Sequence, residues 1–333
     1  MVIIIDNYAV NIEKDNLCFK IKKEEEIRII HPQQVTAIHI YKPCFISSSA
    51  ILLAAENEIP ILFMNTIAQC KALLWQTKFG SISSIRKQQY HFTESKYAIE
   101  WIVNNFKLKL NGQINNLQAL ENNSKEWNKI ITPTKQKLYD LQKTFSNIPA
   151  PSLQQSIRYE AHTSKLYWNA LKQISSGIFA FDKRSKHPAK DNFNCLLNYG
   201  YGMLYNIIYN TTITAGLDPY LGIQHVDEHN TPSFTFDAIE PYRPWIDRLV
   251  LNIATKNLLN NTHFTSENNA ILLHKEGKKI FIPMFEEYMH EATLFNHKRI
   301  KRKDQIQYHL TNLAQQLLKQ YKQNKKNAKA NNV

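Results

Sequence analysis

The sequence predicts an α+β fold in which a small N-terminal β-rich domain precedes a larger, mainly α-helical domain. Residues 1 to about 78 alternate short β-branched segments with polar turns, a pattern typical of strands. From about Thr93 onward, apolar residues recur at helical spacing instead. At 333 residues, 43% of them apolar, the chain is too long for one small core and has enough apolar side chains for two.

Residues 1–78 form the predicted N-terminal domain, in which one helix interrupts the strands. Ser47 to Ser49 can cap a helix over the segment "AILLAAENE", and "IPILFMN" then resumes as a buried strand. The other expected strands are Val2 to Ile5, Leu17 to Ile21, Ile27 to Ile30 and Val35 to Tyr41. Gly80 and the serines that follow it indicate a linker over residues 79–92.

Residues 93–312 form the predicted helical domain. The segment "ESKYAIEWIVNNFKLKLNGQINNLQAL" places most of its apolar residues on one broad face. A second helix is expected from Ser152 to Ile174, because Pro151 cannot continue a preceding helix and Ser152 can cap a new one. Its apolar stripe carries Glu160 at the edge.

Two further elements are expected later in this domain. Residues 191–215 are apolar nearly all round, which indicates a helix inside a bundle, and Gly216 can end it. The segment "AILLHKEGKKIFI" suggests a hairpin with its turn at Glu276-Gly277, after which helices resume at about Pro283.

The chain is strongly basic, with a formal net charge of +13 and a pI of about 9.4. From Lys298 to Val333 there are ten Lys or Arg residues against one acid, Asp304, so nine of the thirteen excess charges lie there. The basic tail over residues 313–333 suits a nucleic-acid backbone, an anionic surface or simple solubility. The four cysteines are scattered, and no apolar run reaches the length of a membrane span, so we expect a soluble cytoplasmic protein without a membrane partner.

Two carboxylates stand among apolar residues in "SFTFDAIEPYRPWI", which raises the question of what pairs with them. Asp237 and Glu240 are three residues apart and share a face if this segment is helical. A buried carboxylate needs a partner or gives up its charge. Arg243 and Arg248 are one set of candidate partners, and a metal ion is the other.

Each candidate also has an ordinary structural explanation. Glu160 can form an ion pair with Arg158, Lys165 or a distant arginine, and Asp237 can be a helix cap. His225, after the turn-rich "GLDPYLGIQ", can be a hydrogen-bonded loop residue. Residue types and spacing alone leave these alternatives open, since oxygen-rich metal sites have no strict spacing.

Four segments of the chain read "YEAHTSKLYWNAL", "DNFNCLLNYGYGML", "AGLDPYLGIQH" and "PSFTFDAIEPYRPWIDRLVLN". In order and spacing they resemble the signature segments of the CRISPR-associated Cas-one family, the spacer-acquisition integrase and DNA endonuclease of CRISPR adaptation. The resemblance covers most of the chain and is weakest in residues 93–150 and in the tail. Ala161 replaces a glycine that is usual in the family, and "DNFNCLLN" replaces "DPVNALLN", but neither change removes a ligand.

The resemblance implies a catalytic role for the helical domain, with one divalent metal ion, Mg²⁺ or Mn²⁺. By motif, the metal ligands fall on Glu160, His225 and Glu240, with Asp237 as a possible accessory ligand. The implied reaction is attack of a DNA 3′-hydroxyl on a phosphodiester of the CRISPR repeat, and water as nucleophile would make the same site an endonuclease. These three residues are therefore expected to bind metal rather than to act as general bases.

The resemblance also implies partners. They are double-stranded DNA, both the spacer precursor and the repeat, a second copy of the chain bound through the N-terminal domain, and a small companion adaptation subunit in a heterohexamer. Candidate DNA contacts share a positive charge or an aromatic ring, and they are Arg184, Lys186, Lys190, Tyr167, Tyr201, Arg299, Lys301 and Arg302. Aromatic residues at helical spacing are nevertheless more often part of a core.

Two other functional classes remain compatible with the sequence. One is a DNA-binding scaffold without chemistry, and the other is a structure-specific, metal-dependent nuclease that serves repair. Metal binding separates the first from an integrase, and the ratio of strand transfer to hydrolysis separates the second.

Overall fold

The computed structural model describes residues 1–64, 70–76, 81–121, 123–186, 188–225 and 229–330. The chain divides into two units, Met1–Ser84 and Ile85–Val333. The first is rich in strands and the second is mainly helical, which confirms the predicted α+β class.

In its described residues, the first unit contains two four-stranded sheets and one complete α-helix. Their bounds are β1 Val2–Ile5, β2 Val10–Asp15, β3 Cys18–Lys23, β4 Glu26–Ile30, β5 Ala37–Ile40, β6 Phe45–Ile46, α1 Ser48–Glu56, β7 Ile61–Met64 and β8 Cys70–Leu74. One sheet has the order β1-β5-β7-β8, with β1, β5 and β7 parallel and β8 antiparallel to β7. The other has the order β4-β3-β2-β6, in which β2, β3 and β4 form an antiparallel meander.

The core of the first unit lies between these sheets and α1. Residues of both sheets share one buried cluster, for example Ile38 from the first and Ile12 and Phe19 from the second, all fully buried. Ser47 caps α1 by accepting a hydrogen bond from the backbone of Ala50 at 3.2 Å, as the sequence predicted. Buried and exposed residues alternate along β1, one of the strands that the sequence predicted, whereas β2, β6 and β8 were not among the expected strands.

The second unit is a helical bundle with two small hairpins. Its elements are α2 Ile82–Thr93, α3 Lys96–Leu120, α4 Lys125–Ser146, α5 Leu153–Ile174, α6 Asn192–Thr214, α7 Ser233–Ile239, α8 Arg243–Thr255, β9 Phe264–Glu267, β10 Ala270–Leu273, α9 Lys275–His290, β11 Ala292–Phe295, β12 Lys298–Lys301 and α10 Arg302–Ala330. The division between the units falls within α2, so its first three residues, 82–84, are part of the first unit. One large apolar cluster runs through this unit, and α6 contributes many of its buried residues.

Several helix ends follow the sequence signals. Ser152 forms a capping box with Gln155 at the start of α5. Gly216 has a φ of +83° just after α6 ends, a conformation that favours glycine.

Three expectations are wrong or incomplete. Most of the expected linker over residues 79–92 is helix α2, and residues 77–80 lie outside the described part of the chain. The hairpin turn is at Asn268 and Asn269, which both have positive φ, rather than at Glu276-Gly277. His274 caps α9 instead, so this helix begins at Lys275 and contains Pro283 rather than starting there.

The basic tail is not a separate segment, because α10 runs continuously from Arg302 to Ala330. Its first half packs into the core through Ile306, Leu310 and Leu317. Within the described residues, none of the helices combines the length and apolarity that a membrane crossing requires.

Two glycines allow close packing against the first turn of α8. A Cβ on Gly112 of α3 would lie 2.6 Å from Cβ of Pro244, and a Cβ on Gly200 of α6 would lie 2.5 Å from Cγ2 of Ile246. Real side chains do not approach this closely, so α3 and α6 contact the start of α8 in this way only because both positions lack a side chain. The 3-10 turn Glu240–Tyr242 is thereby held against α3.

Gly200→Ala is expected to lower the free energy of unfolding by about 1–3 kcal/mol, because the added methyl group overpacks the contact with Ile246 and Phe281. Gly202→Ala is the matched control in the same helix, since nothing lies within 4 Å of the added Cβ. Alanine is the better helix former, so this variant should be neutral or up to about 1 kcal/mol more stable. Urea denaturation of both variants measures the difference, and equal effects would contradict the close packing of α6 on α8.

Candidate active site

Glu160 lies on the buried face of α5 rather than at its edge. The buried residues of this helix include Ser156, Thr163, Tyr167 and Ala170. Glu160 follows Ser156 by four residues and precedes Thr163 by three, so it continues the same face. Its side chain is 19% exposed, whereas the neighbouring Ala161 is on the exposed side of the helix.

Glu240 begins a 3-10 turn between α7 and α8 and is buried. Pro241 lies in the first turn of this 3-10 segment, and Pro244 lies in the first turn of α8. The first N–H groups of a helix have no partner within it, so proline is tolerated at both positions. The helical run therefore turns at Glu240 without leaving an unpaired donor there.

The two glutamates meet at Lys109, a residue of α3. Its ammonium donates to Oε2 of Glu240 at 2.7 Å and also contacts Oε1 of Glu160. The side chains of Lys109 and Glu240 are only 12% and 10% exposed. Ser164 donates to the same oxygen of Glu160 at 2.7 Å. Carboxylates from two separate helical segments are thus brought to one cation.

Arg243 provides a second cation at Glu240. Its Nε donates to Oε1 at 2.6 Å, while Lys109 uses the other oxygen. Burial alone would raise the pKa of Glu240, but the charges of Lys109 and Arg243 outweigh it and lower the pKa to about 2. Burial alone would lower the pKa of Lys109, and the two glutamates outweigh it and raise that pKa. The group is therefore ionic at neutral pH.

The expected pairing of Arg243 with Glu240 is confirmed, but the one with Arg248 is not. Arg248 donates to the side chain of Asn116 at 3.0 Å and to the backbone oxygen of Asn115. It joins α8 to α3 and touches neither Asp237 nor Glu240 in the hydrogen bonds of the described residues.

Asp237 is fully buried in α7 and holds the loop that carries His225. One carboxylate oxygen accepts from the backbone N–H groups of Ile223 and Gln224 at 2.7 and 3.1 Å. The other accepts from the His225 backbone at 3.4 Å and lies 2.6 Å from its Nδ1. Asp237 is thus not a helix cap, and it fixes the imidazole of His225 with Nε2 unoccupied by that contact.

The donor set can be compared with the needs of a divalent metal ion. Glu160 and Glu240 fit such an ion, since they already share one cation, the Lys109 ammonium. His225 supplies an imidazole oriented by a carboxylate, which is usual behind a metal-bound histidine. Among the residues described, however, three His, Cys, Asp or Glu side chains do not come together closely enough to form a metal cluster. Glu160 and Glu240 lie together, and His225 does not form a three-residue cluster with them in the described residues.

Arg243 also contacts a group of buried polar side chains. The Arg243 guanidinium lies 4.9 Å from the ring centre of Tyr201, whose hydroxyl donates to Asp247. Arg184 lies over the same ring at 5.2 Å. Burial raises the pKa of Asp247 to about 6. Asp247 lies within the signature segment "PSFTFDAIEPYRPWIDRLVLN", but its contact with Tyr201 was not predicted from that segment.

Several residues that were candidates for DNA contact are instead buried or paired with other residues of the protein. Tyr167 is fully buried and Tyr201 is 8% exposed, so neither ring is open to a base, which corrects that expectation. Arg184 binds the side chains of Asn194 and Asn198, both at 2.7 Å. Arg302 binds Glu291 and stacks on Tyr288, and its side chain is 12% exposed.

The other four basic candidates, Lys186, Lys190, Arg299 and Lys301, lie nearer the surface. Lys190 donates to the backbone of Asn269 at 3.3 Å, and Arg299 donates to the backbone of Ala292 at 2.9 Å. These two contacts are at the surface, so they leave the positive charges in contact with solvent.

Lys109 is the site residue that sequence reasoning missed. It follows buried Phe106 by three residues and precedes buried Gln113 by four, so it lies on the buried face of α3. A lysine on such a face is rarely left without a partner. That position was the signal, but nothing in the sequence connected it with Glu160 or Glu240.

The chain is similar to proteins of known family. The family described as "CRISPR associated protein Cas1" matches residues 3–287. A curated relative, "CRISPR-associated endonuclease Cas1 2" of Moorella thermoacetica, is 23% identical over 283 residues, which are 84% of this chain and 83% of the relative. Two solved structures share the fold at 18% identity. "Casposase bound to integration product" has a TM-score of 0.69 and covers 96% of both chains, and "Partial Cas6-RT-Cas1--Cas2 complex" has a TM-score of 0.71 and covers 97% and 96%.

Asp237→Ala is expected to lower the free energy of unfolding by about 3 kcal/mol, since three backbone N–H groups and the imidazole are left without their buried acceptor. His225→Ala removes only one of these contacts from a side chain that is 40% exposed, and should cost about 1 kcal/mol or less. Chemical denaturation compares the two. Equal effects would mean that Asp237 does not hold the loop.

Proposed function

The chain belongs to the CRISPR-associated Cas1 family, and we propose that it is the integrase and DNA endonuclease of a CRISPR adaptation system. The observation that carries the proposal is the meeting of Glu160 and Glu240, from separate helical segments, at one cation position. Asp237 holds His225 in the loop before α7, as a histidine ligand requires. Relatives named as Cas1 endonucleases and a structural neighbour bound to an integration product support the same function.

In the proposed reaction, a 3′-hydroxyl of the spacer DNA attacks a phosphodiester of the CRISPR repeat. A new P–O bond forms to the incoming 3′ oxygen, and the old P–O3′ bond breaks and leaves a 3′-hydroxyl on the repeat. The number of phosphodiester bonds is unchanged, so no energy source is needed. With water as the nucleophile, the same exchange is hydrolysis and gives an endonuclease.

Glu160, Glu240 and Nε2 of His225 would hold Mg²⁺ or Mn²⁺, which when bound supplies a Lewis acid that polarises the phosphoryl oxygen and lowers the pKa of the attacking hydroxyl. The chain's own residues prepare this site. Arg243 fixes one oxygen of Glu240, Ser164 orients Glu160, and Asp237 fixes the imidazole of His225. None of these groups forms a covalent bond to DNA in the proposed reaction.

The proposed partners are double-stranded DNA, a second copy of the chain and a small Cas2-type subunit. The structural neighbour that includes Cas2 supports the last of these. A net charge of +13 favours sequence-tolerant contacts with phosphates, which suits a protein that accepts spacers of any sequence. We propose that the N-terminal β-rich unit mediates dimerisation and that the protein acts on DNA in the cytoplasm.

Glu160→Gln and His225→Ala are expected to reduce strand transfer at least about 100-fold while DNA binding persists, because each removes one proposed ligand and leaves the basic surface intact. Glu121→Gln is the matched control, since Glu121 also pairs with a lysine, Lys135 at 2.6 Å, away from the site. Strand transfer into a labelled repeat is measured with Mn²⁺ and with a chelator.

Full strand transfer by either site variant would contradict the proposed ligands. Metal-dependent hydrolysis without strand transfer in the unaltered protein would point to a nuclease of repair. DNA binding with no metal-dependent reaction would point to a scaffold.

The C-terminal half of α10 is proposed to contact the DNA backbone. Lys319, Lys322 and Lys325 extend along this helix, and Lys325 lines an open groove of about 470 Å³ together with Lys87 and Tyr321. Basic side chains beside an aromatic ring are typical of nucleic-acid surfaces.

Replacing these three lysines together by glutamine is expected to weaken DNA binding and to flatten its salt dependence. The slope of log K against log salt should fall in magnitude by about 0.9 for each phosphate that the variant no longer neutralises. Fluorescence anisotropy at several salt concentrations measures the slope. Lys14→Gln, Lys22→Gln and Lys23→Gln, made together in the first unit, control for the change in net charge. An unchanged slope would leave this end of α10 as a solubilising segment.

A further inference from the structure

Lys109 occupies the position between Glu160 and Glu240 that the proposed metal ion would take. We propose that Lys109 is a built-in counter-cation of this carboxylate pair, which a divalent metal ion must displace in order to bind. This inference rests on the proposed function, because it concerns metal binding at that same site. It assigns to Lys109 a positioning and competing role that the sequence motifs do not indicate.

The carboxylate pair needs a cation even before any metal binds. Both side chains are less than one fifth exposed, and both contact the same ammonium. Two carboxylates this close repel each other, and without a counter-charge one would take up a proton or move into solvent. The Lys109 ammonium removes this repulsion, so the two ligands stay in place while the site holds no metal.

The ammonium and a divalent ion compete for the same oxygens. Lys109 donates to Oε1 of Glu160 and to Oε2 of Glu240. Divalent ions bind carboxylate oxygens at about 2.0–2.6 Å, so an ion between the two glutamates would displace the ammonium from its 2.7 Å contact with Oε2. Two cations repel most strongly when they share the same oxygens, so the ammonium and a divalent ion cannot both contact Oε1 of Glu160 and Oε2 of Glu240.

Arg243 differs from Lys109 in this respect. Its Nε is bound to Oε1 of Glu240, the oxygen that Lys109 does not use. It also lies against the ring of Tyr201. Arg243 can therefore stay when a metal binds, and it keeps Glu240 oriented. Lysine suits the exchangeable position, because its compact charge sits on a flexible stem that can withdraw.

The chain offers a matched control in the same helical unit. Lys135 of α4 donates to Oε2 of Glu121 at 2.6 Å, just after the end of α3, and their side chains are 11% and 20% exposed. This pair resembles Lys109 and its glutamates in burial and contact distance. It has only one carboxylate, however, and lies outside the candidate site, so its removal should not affect the metal.

The test measures Mn²⁺ binding rather than activity. Full-length protein is stripped of metal, and Mn²⁺ is titrated by calorimetry into the unaltered protein, Lys109→Met and Lys135→Met. Lys109→Met should bind Mn²⁺ on the order of tenfold more tightly, since a repelling charge is gone and Glu160 has lost its cationic partner. Its metal-free form should melt at a lower temperature, and Mn²⁺ should raise that temperature more than in the unaltered protein. Lys135→Met should bind Mn²⁺ like the unaltered protein.

The outcomes separate this inference from the proposed function. If the unaltered protein binds Mn²⁺ and Lys109→Met binds it equally or less tightly, the counter-cation role is overturned and the proposed metal site stands. If neither binds Mn²⁺, both proposals are overturned. Lys109→Gln is the second variant in case the methionine variant does not fold, and it should also bind Mn²⁺ more tightly, because it keeps a donor without the charge.

Discussion

The need to neutralise two buried carboxylates at one point governs the structure of the helical unit. Glu160 and Glu240 come from α5 and from the turn before α8, and Lys109 comes from α3. An ion pair of this kind forms only if all three backbones are held within a few ångströms of their positions. The missing side chain at Gly112 lets the Pro244 segment approach α3, and Asn116 binds the backbone oxygen of Pro244 at 2.8 Å. The packing of these helices therefore also positions the charged side chains of the site.

Each charge near the carboxylates has an identifiable partner, and the partners divide into two groups. Arg243 and Asp237 are fixed by several contacts, to Glu240 and Tyr201 in one case and to three backbone N–H groups in the other. Lys109 instead binds only the two carboxylates in the hydrogen bonds of the described residues. The proposed metal site would need ligands that stay in place and a counter-charge that can leave. The contacts are distributed in that way.

Some basic residues pair within the helical unit and others lie at its surface, so the net charge alone does not locate a DNA-binding surface. Arg184, Arg248 and Arg302 donate to neighbouring backbone and side-chain oxygens inside the helical unit, and so they stabilise the fold. Lys190 and most lysines of the second half of α10 lie at the surface instead. Arginine is favoured for the internal positions because its planar guanidinium makes several hydrogen bonds at once. A DNA surface is therefore better sought among the lysines than among all positive charges.

The sequence alone determined the α+β class, several strands, the starts of α1 and α5, and the two glutamates that meet at Lys109. Local signals suffice for the elements, because Ser47, Ser152 and Gly216 act on backbone groups a few residues away. Motif resemblance identified Glu160, His225 and Glu240 but not what surrounds them. Only the tertiary structure decided that Lys109, 51 residues before Glu160, is the shared partner of the two glutamates, that Asp237 holds the His225 loop, and that Tyr167 and Tyr201 are buried. Long-range ion pairs depend on how helices pack, and no short stretch of sequence carries that information.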